Sequence, residues 1–219
     1  MHRVFLIDDH PLFRSGLREL LERRQGLEIC GEADNCAAAL DGVRRETPDL
    51  VVVDLRLQGT DGLELVARVH AADPKLPILV LSMQDEALYA ERALHAGARG
   101  YVMKSEDPRD VVDAVEVVLG GRVYLSPEMT RRLVERASSG AEHGRSAIDR
   151  LTDRELQVLR LIGEGRSTSD IAADLALSVK TIETYRAHLK EKLGLRGSSE
   201  LMRFAVLWVQ ELPPDSPLA

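Results

Sequence analysis

The sequence predicts two domains of different class: an α/β doubly wound five-stranded parallel sheet over residues 1–125, and an all-α helix-turn-helix unit over 148–213, joined by a linker, 126–147. Three observations carry that expectation. Short β-branched apolar runs alternate with amphipathic helical stretches through the first half, the pattern of a parallel sheet covered on both faces. The alternation stops near Ser126, and the polar run from Ser138 to Ser146 has no hydrophobic periodicity and reads as a tether. Beyond it only helical periods recur, among them a short helix, a tight turn and a longer basic helix.

In order, residues 4–7 form the first strand and 11–24 the first helix, with Leu12, Leu17, Leu20 and Leu21 on its apolar face. Pro11 suits the opening of that helix, where its missing N–H would be unpaired anyway. Residues 28–32 are the second strand; 35–46 are the second helix, with Asn35 as cap and Pro48 beyond its end. The unbroken run Leu50 to Val53 is a strand buried on both sides, and 61–70 is the third helix. Pro77 leads into a strand at 78–81, and Gly97 ends a helix at 85–96. The last strand, 100–103, feeds Pro108 and a helix at 109–119 whose Val111, Val112, Val115 and Val118 make a strongly apolar face.

Four of these strands end in chemistry. The first runs into Asp8 and Asp9, the third into Asp54, the fourth into Ser82 and the fifth into Lys104. The carboxyl edge of an open α/β sheet is where such folds place ligands. A lone aspartate there could simply cap a helix, but three carboxylates brought together are electrostatically poor without a cation. Mg2+, a hard ion that takes oxygen ligands and keeps waters, fits them. A hydroxyl and a compact ammonium beside the central carboxylate suit a phosphoryl group.

With those residues in place, the first half resembles the receiver domain of two-component response regulators over about residues 3–123. The resemblance implies that Asp54 is the phosphoacceptor and that Asp8 and Asp9 form the acidic metal pocket, with the backbone carbonyl of Arg56 as a further ligand. It also implies that Ser82 contacts the phosphoryl group, that Lys104 pairs with it, and that Tyr101 is the aromatic that reports phosphorylation. The face made by the fourth helix, fifth strand and fifth helix often serves dimer contacts in that family. One departure stands out: Leu57-Gln58 replace the Met-Pro pair frequent three and four positions after the acceptor, which bears on loop stiffness rather than on the chemistry.

Composition agrees with a globular, two-domain chain. At 219 residues, 44% hydrophobic and 30% charged, it is long enough for two cores and lacks the makeup of a disordered protein. No stretch approaches the 18 uninterrupted apolar residues of a membrane span, and Asp8 arrives before a signal-like segment can develop, so the expected location is the cytoplasm. Cys30 and Cys36 have no metal-binding partners at useful spacing and read as reduced thiols. The net charge of -7 is uneven: residues 1–126 hold 15 Lys/Arg against 22 Asp/Glu, whereas 127–219 hold 14 of each. Within the second half, residues 178–193 form a locally basic helix.

In that half Thr152 and Glu155 form a capping box for a helix whose core is Leu156, Val158, Leu159, Leu161 and Ile162, closed by Gly163 and Gly165. A short helix follows at 167–175. Ser178 then caps a helix at 179–193, and an apolar helix at 199–209 carries Trp208 as a packing residue. A small helical bundle with a solvated basic face would share these periods. The text from Leu151 to Leu195, with Arg154-Glu155, Gly165, Ile171-Ala172, Ser178, Thr181 and Lys192-Leu193, is similar to the LuxR-type DNA-binding domain of NarL/FixJ-class regulators. Tyr185 stands where that motif commonly has histidine. The resemblance implies that the last helix pairs two copies.

Groove chemistry then assigns roles along the helix at 179–193. Lys180, Glu183, Thr184 and His188 share its outer face and are expected at base or groove edges; Thr181, Arg186 and Lys192 are expected on the DNA backbone. The function expected is a regulator phosphorylated on Asp54 by a sensor histidine kinase, with Mg2+ as cofactor, binding double-stranded promoter DNA as a homodimer away from any membrane. It would assist only its own phosphorylation and dephosphorylation. Two other readings compete: a phosphorylation-independent DNA-binding protein with the receiver as dimerisation module, and a metal-dependent phosphatase of small substrates. Retention of Asp8, Asp9, Asp54, Ser82 and Lys104 weighs against the first, and the lack of a substrate-pocket insertion against the second.

Overall fold

A computed structural model describes residues 1–57, 60–138 and 147–210. The chain divides into two compact units, Met1–Gly140 and Ala141–Ala219. Among the described residues no helix is long and apolar enough to cross a membrane.

The first unit runs β1 (His2–Ile7), α1 (Pro11–Glu22), β2 (Leu27–Ala33), α2 (Cys36–Glu46), β3 (Leu50–Val53), the short β4 (Arg56–Leu57) and β5 (Thr60–Asp61), and α3 (Gly62–Ala72). It continues with β6 (Ile78–Ser82), α4 (Glu86–His95), β7 (Gly100–Met103), α5 (Pro108–Leu119) and α6 (Pro127–Ser138). Five strands pair in parallel in the order β2-β1-β3-β6-β7. The order reverses direction between β1 and β3, so a crevice opens at the carboxyl ends of those strands. Asp8, Asp9 and Asp54 stand there.

Alternation along each strand sends successive side chains to opposite faces. Val4, Leu6, Leu50, Val52, Leu79, Leu81 and Val102 join Leu17 and Leu21 of α1 and Val111, Ala114, Val115 and Val118 of α5 in one cluster. Phe5, from the other face of β1, fills the space left by two glycines: a Cβ at Gly31 would fall 2.5 Å, and at Gly42 2.4 Å, from its ring. Asn35 caps α2 by accepting from Ala38 N, as its position predicts, and Asp85 and Asp107 cap α4 and α5 in the same way.

Three features depart from the sequence expectation. The first helix ends at Glu22, with Arg23 as its C-cap, two residues early. β4 and β5 pair antiparallel just after Asp54, where only loop was expected; Gln58 lies outside the described residues. The third is the unit boundary: the sequence places the linker from residue 126, with a short amphipathic helix at 127–137 at its start, and the first compact unit includes that helix, α6. Its Met129 is only 5% exposed, and the backbone N–H of Ser126, one residue before α6, donates to Glu86 of α4 at 2.9 Å. Burial of one apolar side chain and a charge-assisted anchor are what a free tether lacks.

The second unit holds a 3-10 turn at Ala147–Arg150, then α7 (Asp153–Gly163), α8 (Thr168–Asp174), α9 (Val179–Leu193) and α10 (Ser198–Gln210). The capping box of Thr152 and Glu155 is formed, and Ser167 with Asp170 forms a second one at α8. Ser178 caps α9 through Thr181 N, and Gly194 closes it in the left-handed region. Gly163 is the last residue of α7, and a Cβ there would fall 2.4 Å from the carbonyl oxygen of Ala205, so its bare backbone lets α10 close on α7. Gly165, at φ +81°, makes the turn. Leu156, Leu159, Ile162, Ile182, Leu189 and Leu201 form the buried centre.

Candidate functional site

The strand ends bring Asp8, Asp54 and Lys104 together. Asp8 and Asp54 are 3% and 2% exposed, and the Lys104 ammonium lies 2.6 Å from Asp8 Oδ2 and 2.6 Å from Asp54 Oδ2. Lys104 also sits 4.2 Å from the centroid of the Phe13 ring, a cation-π contact that orients it from α1. The other carboxylate oxygens are held by main chain: Asp8 Oδ1 accepts from His10 N at 2.7 Å and Asp54 Oδ1 from Arg56 N at 3.0 Å. Burial pushes the Asp54 carboxyl above the ordinary carboxylate range; the Lys104 charge and the Arg56 N–H pull the other way without offsetting it.

Asp8, Asp9, His10 and Asp54 each offer one ligand atom, all within 4.8 Å of one another. This donor set suits a hard divalent cation, since three of the four are carboxylates and burial makes their charge costly. His10 was missed in the sequence. Its Nδ1 lies 2.7 Å from Asp9 Oδ1 and 3.4 Å from Asp8 Oδ1, and the available sign was only its place directly after the acidic pair. Arg56 stands in β4 with its side chain exposed, its N–H committed to Asp54.

Ser82 and Tyr101 meet at one residue between them. Ser82, fully buried, accepts from Gln84 N at 3.2 Å, and the Tyr101 hydroxyl donates to Gln84 O at 2.8 Å. Burial raises the Tyr101 phenol well above its usual range, so it remains a donor. Register places Ser82 opposite Met103, and Lys104 N donates to Ser82 O, so the hydroxyl and the lysine share one sheet edge.

On α9 the outer stripe is as periodicity predicts. Lys180, Glu183, Thr184 and His188 are exposed, while Ile182 and Leu189 are fully buried. The three residues expected on a DNA backbone differ from that stripe. Thr181 is half-buried, its hydroxyl 2.7 Å from that of Ser178, at the cap. The Arg186 side chain is 13% exposed and lies 4.0 Å from Glu183. Lys192 reaches inward: its ammonium is 2.7 Å from Glu155 Oε2, on the helix-capping carboxylate of α7, so it is engaged within the unit. His188 Nδ1 is 3.7 Å from the other oxygen of Glu155.

An acidic, lysine-bridged pocket at the carboxyl edge of a receiver sheet, followed by a helix-turn-helix, defines the class of DNA-binding response regulators. Residues 4–116 match the response regulator receiver domain family, and residues 149–205 match the family of bacterial regulatory proteins, luxR family. The chain therefore belongs to the two-component response regulators of the NarL/FixJ class. It is 37% identical over 204 residues to the virulence factors putative positive transcription regulator BvgA of Bordetella pertussis, covering 93% of this chain and 96% of that one. Among solved structures, a LuxR-family response regulator from Aurantimonas matches at 39% identity and TM-score 0.59, over 63% of this chain and 99% of the other. RcsB of Salmonella enterica serovar Typhimurium, bound to promoter P1flhDC in the presence of the phosphomimetic BeF3-, matches at 28% identity and TM-score 0.59, over 93% and 98%.

Proposed function

We propose that Asp54 accepts a phosphoryl group from a sensor histidine kinase and that the phosphorylated chain binds promoter DNA as a dimer, in the cytoplasm. The observation that carries this reading is the shared ammonium of Lys104 between Asp8 and Asp54. An Asp54 carboxylate oxygen attacks phosphorus, the P–N bond to the donor histidine breaks, and the leaving imidazole keeps the electron pair and takes a proton. The product is an acyl phosphate, which water later cleaves to regenerate the carboxylate. Lys104 offsets the charge gathered on the phosphoryl oxygens, and Ser82 turns its hydroxyl from Gln84 N to donate to one of them. Asp8, Asp9 and Asp54, with the Arg56 carbonyl, would hold Mg2+, which supplies further charge neutralisation there. The chain turns over no external substrate.

Binding to DNA rests on the exposed stripe of α9, capped by Ser178 and opened by Lys180. Relatives of the same two-domain build support it: the RcsB structure holds promoter DNA under a phosphomimetic. DNA selection with the full chain, with and without a small phosphodonor and Mg2+, tests both halves of the reading. Selection of one sequence family, enriched by phosphodonor in the wild type but not in Asp54→Asn, is expected. A preference indifferent to phosphodonor would leave a DNA-binding protein whose receiver only dimerises, and sedimentation of the same samples reports that association.

A further inference from the structure

We propose that Glu86 latches α6 onto the first unit and that phosphorylation of Asp54 opens the latch; the proposal deepens the function proposed above and rests on it. The observations form a closed ring of hydrogen bonds. Tyr101 donates from its hydroxyl to Gln84 O at 2.8 Å, and Gln84 N donates to Ser82 Oγ at 3.2 Å. Two residues on, Glu86, 8% exposed, accepts from Ser126 N at 2.9 Å. Two residues before Ser126, Tyr124 closes the ring: its carbonyl accepts from Tyr101 N at 3.0 Å, while its own N–H donates to Arg99 O at 3.0 Å. The chain leaving α5 thus runs as a short parallel extension of the β7 edge before it enters α6.

Ser126 is where this extension becomes helix. Its hydroxyl accepts from Met129 N at 3.0 Å and its carbonyl from Thr130 N at 2.9 Å, so the residue held by Glu86 also starts α6. Glu86 sits in the first turn of α4 and faces the first turn of α6, where one negative charge is favourable to both helix starts. A buried carboxylate accepting a main-chain N–H is among the stronger hydrogen bonds, but the bond is directional and fails with a small displacement.

The opening step follows from Ser82. When its hydroxyl turns toward a phosphoryl group on Asp54, Gln84 N loses its partner, and the segment 84–86 is freed at the end nearest the pocket. Glu86 moves with it, Ser126 is released, and residues 127–138 lose their anchor on α4. The segment leading to the second unit then gains the length of α6. Phosphorylation is thereby read out as a longer reach for the DNA-binding unit.

Hydrogen exchange of the full chain, with and without beryllium fluoride and Mg2+ as the phosphoryl mimic, tests the latch. In the wild type the mimic is expected to speed exchange of amides 128–138 by about tenfold, the loss of one charge-assisted hydrogen bond. Glu86→Ala should show that fast exchange without the mimic, whereas Glu86→Gln, which keeps an acceptor but not the charge, should fall between Glu86→Ala and the wild type. Protection of amides 50–53 reports that each variant is folded, and the wild-type arm depends on no variant. Unchanged exchange at 128–138 while amides 82–84 respond would overturn the latch and leave the phosphorylation reading intact. Slow exchange in a folded Glu86→Ala would overturn it too. No response at 82–84 would overturn both.

Discussion

The ammonium of Lys104 stands at 2.6 Å from the carboxylates of both Asp8 and Asp54, two groups that are almost wholly buried and come from different strands. One lysine thus supplies the positive charge that makes the burial of this pair tolerable.

Removing that charge should be costly. Lys104→Met leaves two buried carboxylates facing one another, and a loss of about 3–5 kcal/mol is expected, the size typical of breaking a buried ion pair from one side. Millimolar Mg2+ should restore much of it by taking over the neutralisation. Urea unfolding with and without Mg2+ measures both effects; equal stability of variant and wild type in the absence of Mg2+ would contradict the account.

Lysines at the two ends of α9 should behave differently. Lys180→Ala removes an exposed cation and should weaken DNA binding, relaxing preference at one position by roughly 1–3 kcal/mol if it reaches a guanine. Lys192→Ala instead breaks the pair with Glu155, and should lower stability by about 1 kcal/mol, discounted for partial exposure. The slope of log affinity against log salt should stay near that of the wild type for this variant. A slope reduced by nearly 1 would make Lys192 a phosphate contact after all.

Acid should erase the contribution of Glu155. Burial raises its carboxyl, but the hydrogen bond from Lys192 and those from the Thr152 backbone and hydroxyl outweigh it, so the folded value lies below the ordinary one. A group depressed in the folded state stabilises fully above its unfolded value, about 4.3, and the gain is lost as pH falls through the folded value. Thermal melts of wild type and Glu155→Gln from neutral pH to about pH 3 should show a gap that closes on acidification. A gap constant with pH would mean the charge is irrelevant.

Gly163→Ala should separate α7 from α10. The added Cβ would meet Ala205 O at 2.4 Å and Val209 Cγ2 at 2.5 Å, contacts that only a backbone shift relieves. Against a small gain in helix propensity, a net loss of about 1–3 kcal/mol is expected. Denaturant unfolding of the full chain checks it, with an unchanged or raised midpoint as the contrary result.

Much of the architecture is legible along the chain because it is written at short range. The run Leu50 to Val53 is fully apolar because β3 is central, and Asp54 follows it because the strand ends there. Asn35, Thr152 and Ser178 cap helices as their positions predict, since a cap needs only a backbone N–H two or three residues on. Even the outer stripe of α9 follows from a period of 3.6.

Other features were not legible, for a common physical reason: a sequence period tells which face a side chain occupies but not which distant residue meets it there. Lys192 lies on a basic helix and is expected on the DNA backbone; that its ammonium also meets Glu155, 37 residues away, follows only from the packing of α9 on α7. His10 is one more polar residue until β1 and β3 pair and leave it beside three carboxylates. Residues 127–138 carry a helical period whether loose or packed, and their packing is decided by the meeting of Ser126 with Glu86, 40 residues apart, and by the burial of Met129. The order of elements and the residues at the strand ends follow from the chain read locally, because periodicity, turns and caps span only a few residues. How Asp8, Asp54 and Lys104 share charge does not, because closure of the sheet is what brings residues 8, 54 and 104 within hydrogen-bond distance and out of water.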